Sequence, residues 1–341
     1  MNKRIINPGF ESPTPPLTTS FNTVLYTGNS STQSITGVGF QPDLVWIKRR
    51  NTTEDHALFD SVRGALKMIS SNLTAAEYTT YAPYEAVSSF DSDGFTTRDN
   101  GATNRSPNTY VAWCWKAGGA AVTNNFGSIE SQVSANPGAG FSVVSYTAAS
   151  SGSFTVGHGL ASEPKMVITR RTGGGSNWYT YHSETGAEKF LSLNSTAAAS
   201  GTIPNFWGLN GMSTTTIGLT VDQACYGNQF HIAYCFAEVA GFSKFGSYTG
   251  TGVAGNFQDC GFEPAFVMIK STDKAINNWD IFDNKRDTTN PNTALLQANT
   301  SGAELYPPLG INFLANGFEP ENAYFNDSGN NFIYMAFANQ F

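Results

Sequence analysis

Apolar residues along the chain fall in short runs that Gly, Pro, Asn and Asp interrupt at intervals of roughly ten residues, the punctuation of strands and turns. Leu44-Val45-Trp46-Ile47 follows Pro42 and stops at Lys48-Arg49-Arg50, the pattern of a buried strand entered from a turn. In Phe90-Asp91-Ser92-Asp93-Gly94-Phe95 and Ala315-Asn316-Gly317-Phe318, Asp-Gly and Asn-Gly sit between apolar residues, a strong short cue for a hairpin. A helical turn is predicted only around 61–77 and its counterparts. The pattern as a whole predicts an all-β protein built from antiparallel sandwiches of jelly-roll type.

The runs recur. Phe21-Asn22-Thr23-Val24-Leu25-Tyr26-Thr27 returns as Phe141 to Thr147 and again as Phe242 to Thr249. Gly39-Phe40 with Pro42, Val45 and Lys48 returns as Gly159-Leu160 with Pro164, Val167 and Arg170, then as Gly261-Phe262 with Pro264, Val267 and Lys270. Each unit closes on an aromatic-rich strand: Tyr110 to Trp115, His231 to Phe236, Phe332 to Phe337. Three landmarks in one order imply three tandem β-sandwich repeats, at 21–117, 141–237 and 242–341. Between the first two, 118–140 is rich in Gly, Ala, Ser and Asn and reads as a flexible linker. Only 238–241 separates the last two, so those must sit against each other. Residues 1–20 carry Pro8, Pro13, Pro15 and Pro16 and predict an extended arm with no core of its own.

Composition narrows the function. Charged residues make up 13% of the 341, against about 25% in ordinary soluble domains, while aromatics reach 13%. With a net charge of −7 and 19 basic residues scattered along the chain, apart from Lys48-Arg49-Arg50, nucleic acid is not an expected partner. No apolar run approaches the ~20 residues of a membrane span, and membrane insertion is not expected. Cys114, Cys225, Cys235 and Cys260 are spaced too irregularly for a disulfide framework, which predicts synthesis in a reducing cytoplasm.

Two columns of the repeat carry candidate chemistry. His56, Trp178 and Trp279 align, followed three residues on by Phe59, Tyr181 and Phe282. A flat ring on a loop suits stacking on a sugar face; packing between sheets is the alternative. Asp60, His182 and Asp283 align next, with Arg63 and Arg286 three residues beyond the two acids and Thr185 in the second repeat. An Asp-x-x-Arg pair either grips a polar ligand or closes a turn as an internal ion pair. The ligand-contact candidates are therefore His56, Asp60, Arg63, Trp279, Asp283 and Arg286. Asp91 and Asp93 have calcium-like spacing, but the remaining ligands of such a loop are missing and no metal is expected. Cys114 and Cys235 share a column with Ala336, a place for a small buried side chain. The four histidines fall at unrelated positions and no nucleophile elbow occurs, so neither catalytic residues nor a cofactor are predicted.

The first repeat closely resembles a repeat of structural proteins of marine tailed bacteriophages, cyanophages especially. The resemblance is carried by Gly39-Phe40, Pro42-Asp43-Leu44-Val45-Trp46-Ile47-Lys48, His56, Leu58-Phe59-Asp60-Ser61-Val62-Arg63, Ser89 to Phe95 and Tyr110 to Gly118. The third repeat matches well and the second loosely. That resemblance implies a virion component, assembled in the host cytoplasm, with concanavalin-like sandwiches and no established catalytic residues. The function expected is a tail fibre or appendage that attaches to host-surface glycan, with the arm docking on other virion proteins, the repeats projecting outward and the chain forming a homo-oligomer, a trimer first. A capsid decoration or head-fibre protein without receptor role is the alternative, favoured by the absence of a heptad or collagen-like stalk. A polysaccharide depolymerase is the third.

Overall fold

The structure, a computed structural model, describes residues 20–338 except 210, 309 and 322. The arm expected at 1–20 lies, but for Ser20, outside the described residues. Among the described residues the regular secondary structure is nearly all strand, arranged in several antiparallel sheets.

The main sheet of each repeat has the same order. In the first, Phe21–Thr27 lies beside the closing strand Thr109–Trp115, then Leu44–Arg49, then Ala57–Asp60. The second runs Phe141–Thr147, Phe230–Phe236, Met166–Arg171, Tyr179–His182, and the third Ser243–Thr249, Asn331–Ala338, Pro264–Ser271, Asp280–Asp283. Register repeats as well. Val45 faces Cys114 and Phe59, Val167 faces Cys235 and Tyr181, and Val267 faces Ala336 and Phe282. All three valines and their small partners are buried, as the Pro-to-Val spacing and the Cys/Ala column predict. Both predicted hairpins form, with Phe90 opposite Phe95 and Phe313 opposite Phe318.

Period-two alternation sends successive side chains of these strands to opposite faces, and both faces are covered. From the closing strands, Tyr110, Ala112 and Cys114 enter a core private to the first repeat, where Ile35 and Phe95 of a small outer sheet meet them. Ala233 and Cys235 do the same in the second repeat, and Tyr334 and Ala336 in the third. The other face points inward. Val111, Trp113 and Trp115 meet Ile232, Tyr234 and Phe236 and Ile333, Met335 and Phe337 in one core shared by all three repeats. At its centre three equivalent rings form a nearly equilateral triangle: Trp115 to Phe236 6.2 Å, Phe236 to Phe337 6.0 Å, Trp115 to Phe337 5.8 Å between centroids. Full burial of each such apolar side chain contributes about 1.5–3 kcal/mol, so a repeat taken alone would forfeit several such terms. The repeats therefore close around a common axis instead of projecting separately from a linker.

Two further expectations are corrected. The segment 118–140 is not a linker: Val122–Asn124 and Ser131–Asn136 extend the second main sheet, with Val133 opposite Val144 and buried. Gly118, Gly127 and Gly140 permit close backbone approach, since a Cβ there would stand within 2.5 Å of the Ala135, Thr155 and Ala237 carbonyl oxygens respectively. No helix forms over 61–77. Asp60 accepts the Arg63 N–H as a helix cap would, but Gly64 adopts φ 101° and the chain turns into the short pair Lys67–Met68 and Tyr78–Thr79. Among the described residues the helix is Ala323–Asn326.

Candidate functional site

The six candidate residues all lie inside, at the seams between repeats. The ring column closes those seams. Trp178 donates its indole N–H to the Ser70 carbonyl of the first repeat at 2.8 Å, and Trp279 donates to Ser192 of the second at 2.9 Å. His56 completes the circuit through Nε2 to Gln297 O of the third at 3.0 Å. Its Nδ1 accepts the Trp46 indole N–H at 2.8 Å, which leaves the proton on Nε2. Histidine thus stands in for tryptophan because both offer a ring N–H along one direction. Burial, with Lys48 nearby, holds the His56 pKa well below its ordinary value, so the ring is neutral. The backbone N–H of each column residue is anchored alike, on Asn72, Asn194 and Asn299.

The acidic column makes a second circuit. Asp60 Oδ2 accepts Arg63 Nε at 2.6 Å and the Tyr234 hydroxyl of the second repeat at 2.9 Å. Asp283 Oδ2 accepts Arg286 Nε at 2.5 Å and the Trp113 indole of the first repeat at 2.9 Å. Both arginines reach one step further, Arg63 to Glu77 and Arg286 to Glu304, each also bonding a backbone carbonyl. At the third seam the column equivalent of Trp113 and Tyr234 is Met335, which has no proton to donate. An aspartate facing it would lose that partner, and the chain has His182 instead. His182 Nδ1 accepts the Glu184 N–H, Nε2 bonds the Tyr334 carbonyl at 3.2 Å, and burial lowers its pKa to about 4. Thr185 and Ala199 replace the arginine and glutamate there.

A third circuit was missed in the sequence. Lys48 donates to Ser301 O, Arg170 to Thr74 O and Lys270 to Thr196 O, each from one repeat into the loop of another. Their alignment in the repeat was visible, but their partners depend on which repeats are neighbours. Burial pushes Lys48 and Lys270 down to about 8. Equivalent contacts running from first to third, third to second and second to first are head-to-tail interfaces that close into a ring.

His56, Asp60, Arg63, Trp279, Asp283 and Arg286 therefore give their polar atoms to one another, to the backbone and to the side chains of Trp46, Glu77, Trp113, Tyr234 and Glu304, and the structure corrects their assignment as ligand contacts. Asp93 accepts the Gly37 and Gly39 N–H groups, which hold its pKa down, while Asp91 accepts from Ser89 and Thr96. The four cysteines are buried, and burial raises every thiol pKa, that of Cys235 to about 12. No curated protein matches the sequence. One family model spans all three repeats together, residues 17–340, and the chain belongs to that family, described as a Domain of unknown function (DUF7483).

Proposed function

We propose that the chain is a structural component of a bacteriophage particle, in the manner of a capsid decoration or head-fibre protein, assembled in the host cytoplasm and carried on the particle by its N-terminal arm. Each repeat is then one jelly-roll- or concanavalin-like sandwich, its outer sheet packed on its main sheet. The observation that carries the reading is the closed ring, in which three divergent repeats spend their most reactive-looking residues on holding one another. A rigid body with its aromatic and ionic columns turned inward suits a load-bearing coat better than chemistry. The resemblance of the first repeat to virion repeats supplies the setting.

The test removes residues 1–19 and complements phage lacking the wild-type gene product. The truncated chain is expected to fold with unchanged circular dichroism and to be missing from purified particles. Incorporation at the wild-type copy number would overturn the docking role. Purified particles that never contain the full-length chain would overturn the structural reading itself.

A further inference from the structure

Two of the seams open outward into clefts lined by equivalent columns of the repeat. Between the second and third repeats the cleft measures about 480 Å³ and is lined by Thr272, Asp273, Asn331, Ala198 and Ala199 among others. Between the third and first it measures about 420 Å³ and is lined by the aligned Arg50, Asn51, Thr109, Ala303 and Glu304, and by Tyr306. The alignment follows from the common offsets to Asn194 and Asn299, and from matching seam bonds, Ala199 N–H to Thr272 O and Glu304 N–H to Arg50 O. Same architecture, different chemistry: Tyr306 aligns with Gly201 at one seam and Thr79 at the other.

We propose that the cleft between the third and first repeats binds a neutral saccharide, with Tyr306 as its stacking face and Arg50 and Asn51 as its polar contacts. Tyr306 is 64% exposed, yet its hydroxyl is tied to Glu304 Oε2 at 2.6 Å, so the ring is offered at little rotamer cost. Glu304 also grips Arg50 through Nε and Nη2 at 2.8–3.2 Å, which fixes a planar donor at the cleft wall. Asp283, Arg286, Glu304 and Arg50 form one chain of alternating charge whose sum is zero. The cleft thus has dipoles and hydrogen-bond donors without net charge, which selects neutral hydroxyls over acidic sugars. Asn51 is exposed and spends Oδ1 on the Thr109 N–H; among the described residues its Nδ2 has no partner. At the sister seam, Gly201 removes the ring and Thr272 and Ala199 remove the guanidinium and its carboxylate. This site goes beyond the structural role and is tested apart from any particle.

Purified full-length chain is titrated with the methyl glycosides of glucose, galactose, mannose and N-acetylglucosamine, and with those of sialic and glucuronic acid, read by saturation-transfer NMR and calorimetry. At least one of the four neutral glycosides is expected to bind in roughly the millimolar range, as a single shallow site allows. Tyr306→Ala should weaken that binding by about tenfold and Asn51→Ala should weaken it as well, both with an unmoved melting temperature. Tyr81→Ala, which alters a tyrosine 74% exposed elsewhere, should bind as wild type. No saturable binding by any of the four, wild-type affinity in Tyr306→Ala, or binding confined to sialic or glucuronic acid would each overturn the proposal. None of these results bears on the arm-deletion experiment, so the two readings fail separately.

Discussion

Trp279→Ala separates a core residue from a ligand contact and also tests the sharing of the core. The indole is 1% exposed, packs in the inward core and donates to Ser192 O across a seam. Truncating a buried tryptophan costs about 3–5 kcal/mol through lost transfer energy and the cavity left behind. Unfolding entropy near 2.1 cal/mol/K per residue gives about 0.7 kcal/mol/K for a body of roughly 320 residues. A loss of 4 kcal/mol then lowers Tm by about 6 °C, in one transition that includes all three repeats. If the third repeat unfolded by itself, its ~100 residues would give about 0.2 kcal/mol/K and a shift near 20 °C, confined to part of the melt. The assay is a calorimetric melt of wild type and variant, followed by near-UV circular dichroism. Trp178→Ala, at the equivalent seam, should match it. A Tm unchanged within about 1 °C would refute the burial argument, and a large shift in one fraction of the melt would refute the shared core.

Two further outcomes follow from the seams. His182 titrates near 4 in the folded chain and near 6.5 unfolded, so between those values the unfolded state binds more protons and stability falls as pH falls. Urea denaturation of wild type against His182→Asn should show the histidine contributing up to about 3 kcal/mol of that acid loss; parallel pH profiles would contradict it. For the pair across the first seam, a double-mutant cycle of Tyr234→Phe and Asp60→Asn should give a coupling of roughly 1 kcal/mol or more, since the hydroxyl donates to a buried carboxylate. Additive effects would place the two residues out of contact.

Much of the fold was legible. Turn chemistry placed the hairpins, and the offset from Pro42, Pro164 and Pro264 placed three buried valines. The closing strands even carried the sign of double burial: Tyr110 to Trp115 has no polar face, so both sides had to be covered. What the sequence could not say was by what. One side meets the repeat's own outer sheet and the other meets two sister repeats, and apolar alternation is identical for both. The Asp-x-x-Arg pairs were readable because three residues along one turn bring them together. Of their other partners, Glu77 and Glu304 come from a loop of the same repeat, whereas Tyr234 and Trp113 lie on neighbouring repeats, and meeting those depends on ring closure. The sequence shows His182 in a column of aspartates without the reason, which lies across the seam: the residue there is Met335, which has no proton to donate. The strands within 118–140 were hidden because small residues carry the alternation there, with Val133 the one large buried apolar side chain of Ser131–Asn136.

The central claim is that three repeats form one closed body around the Trp115, Phe236 and Phe337 triangle. Scanning calorimetry of the full chain tests it through the ratio of calorimetric to van't Hoff enthalpy. At about 0.7 kcal/mol per residue the whole body absorbs roughly 220 kcal/mol near 60 °C, and a single repeat about 70. A van't Hoff enthalpy close to the full calorimetric value, in one transition, is the result the ring predicts. A van't Hoff enthalpy near one third of it, or resolved transitions that persist independently when one repeat is destabilised, would contradict the account.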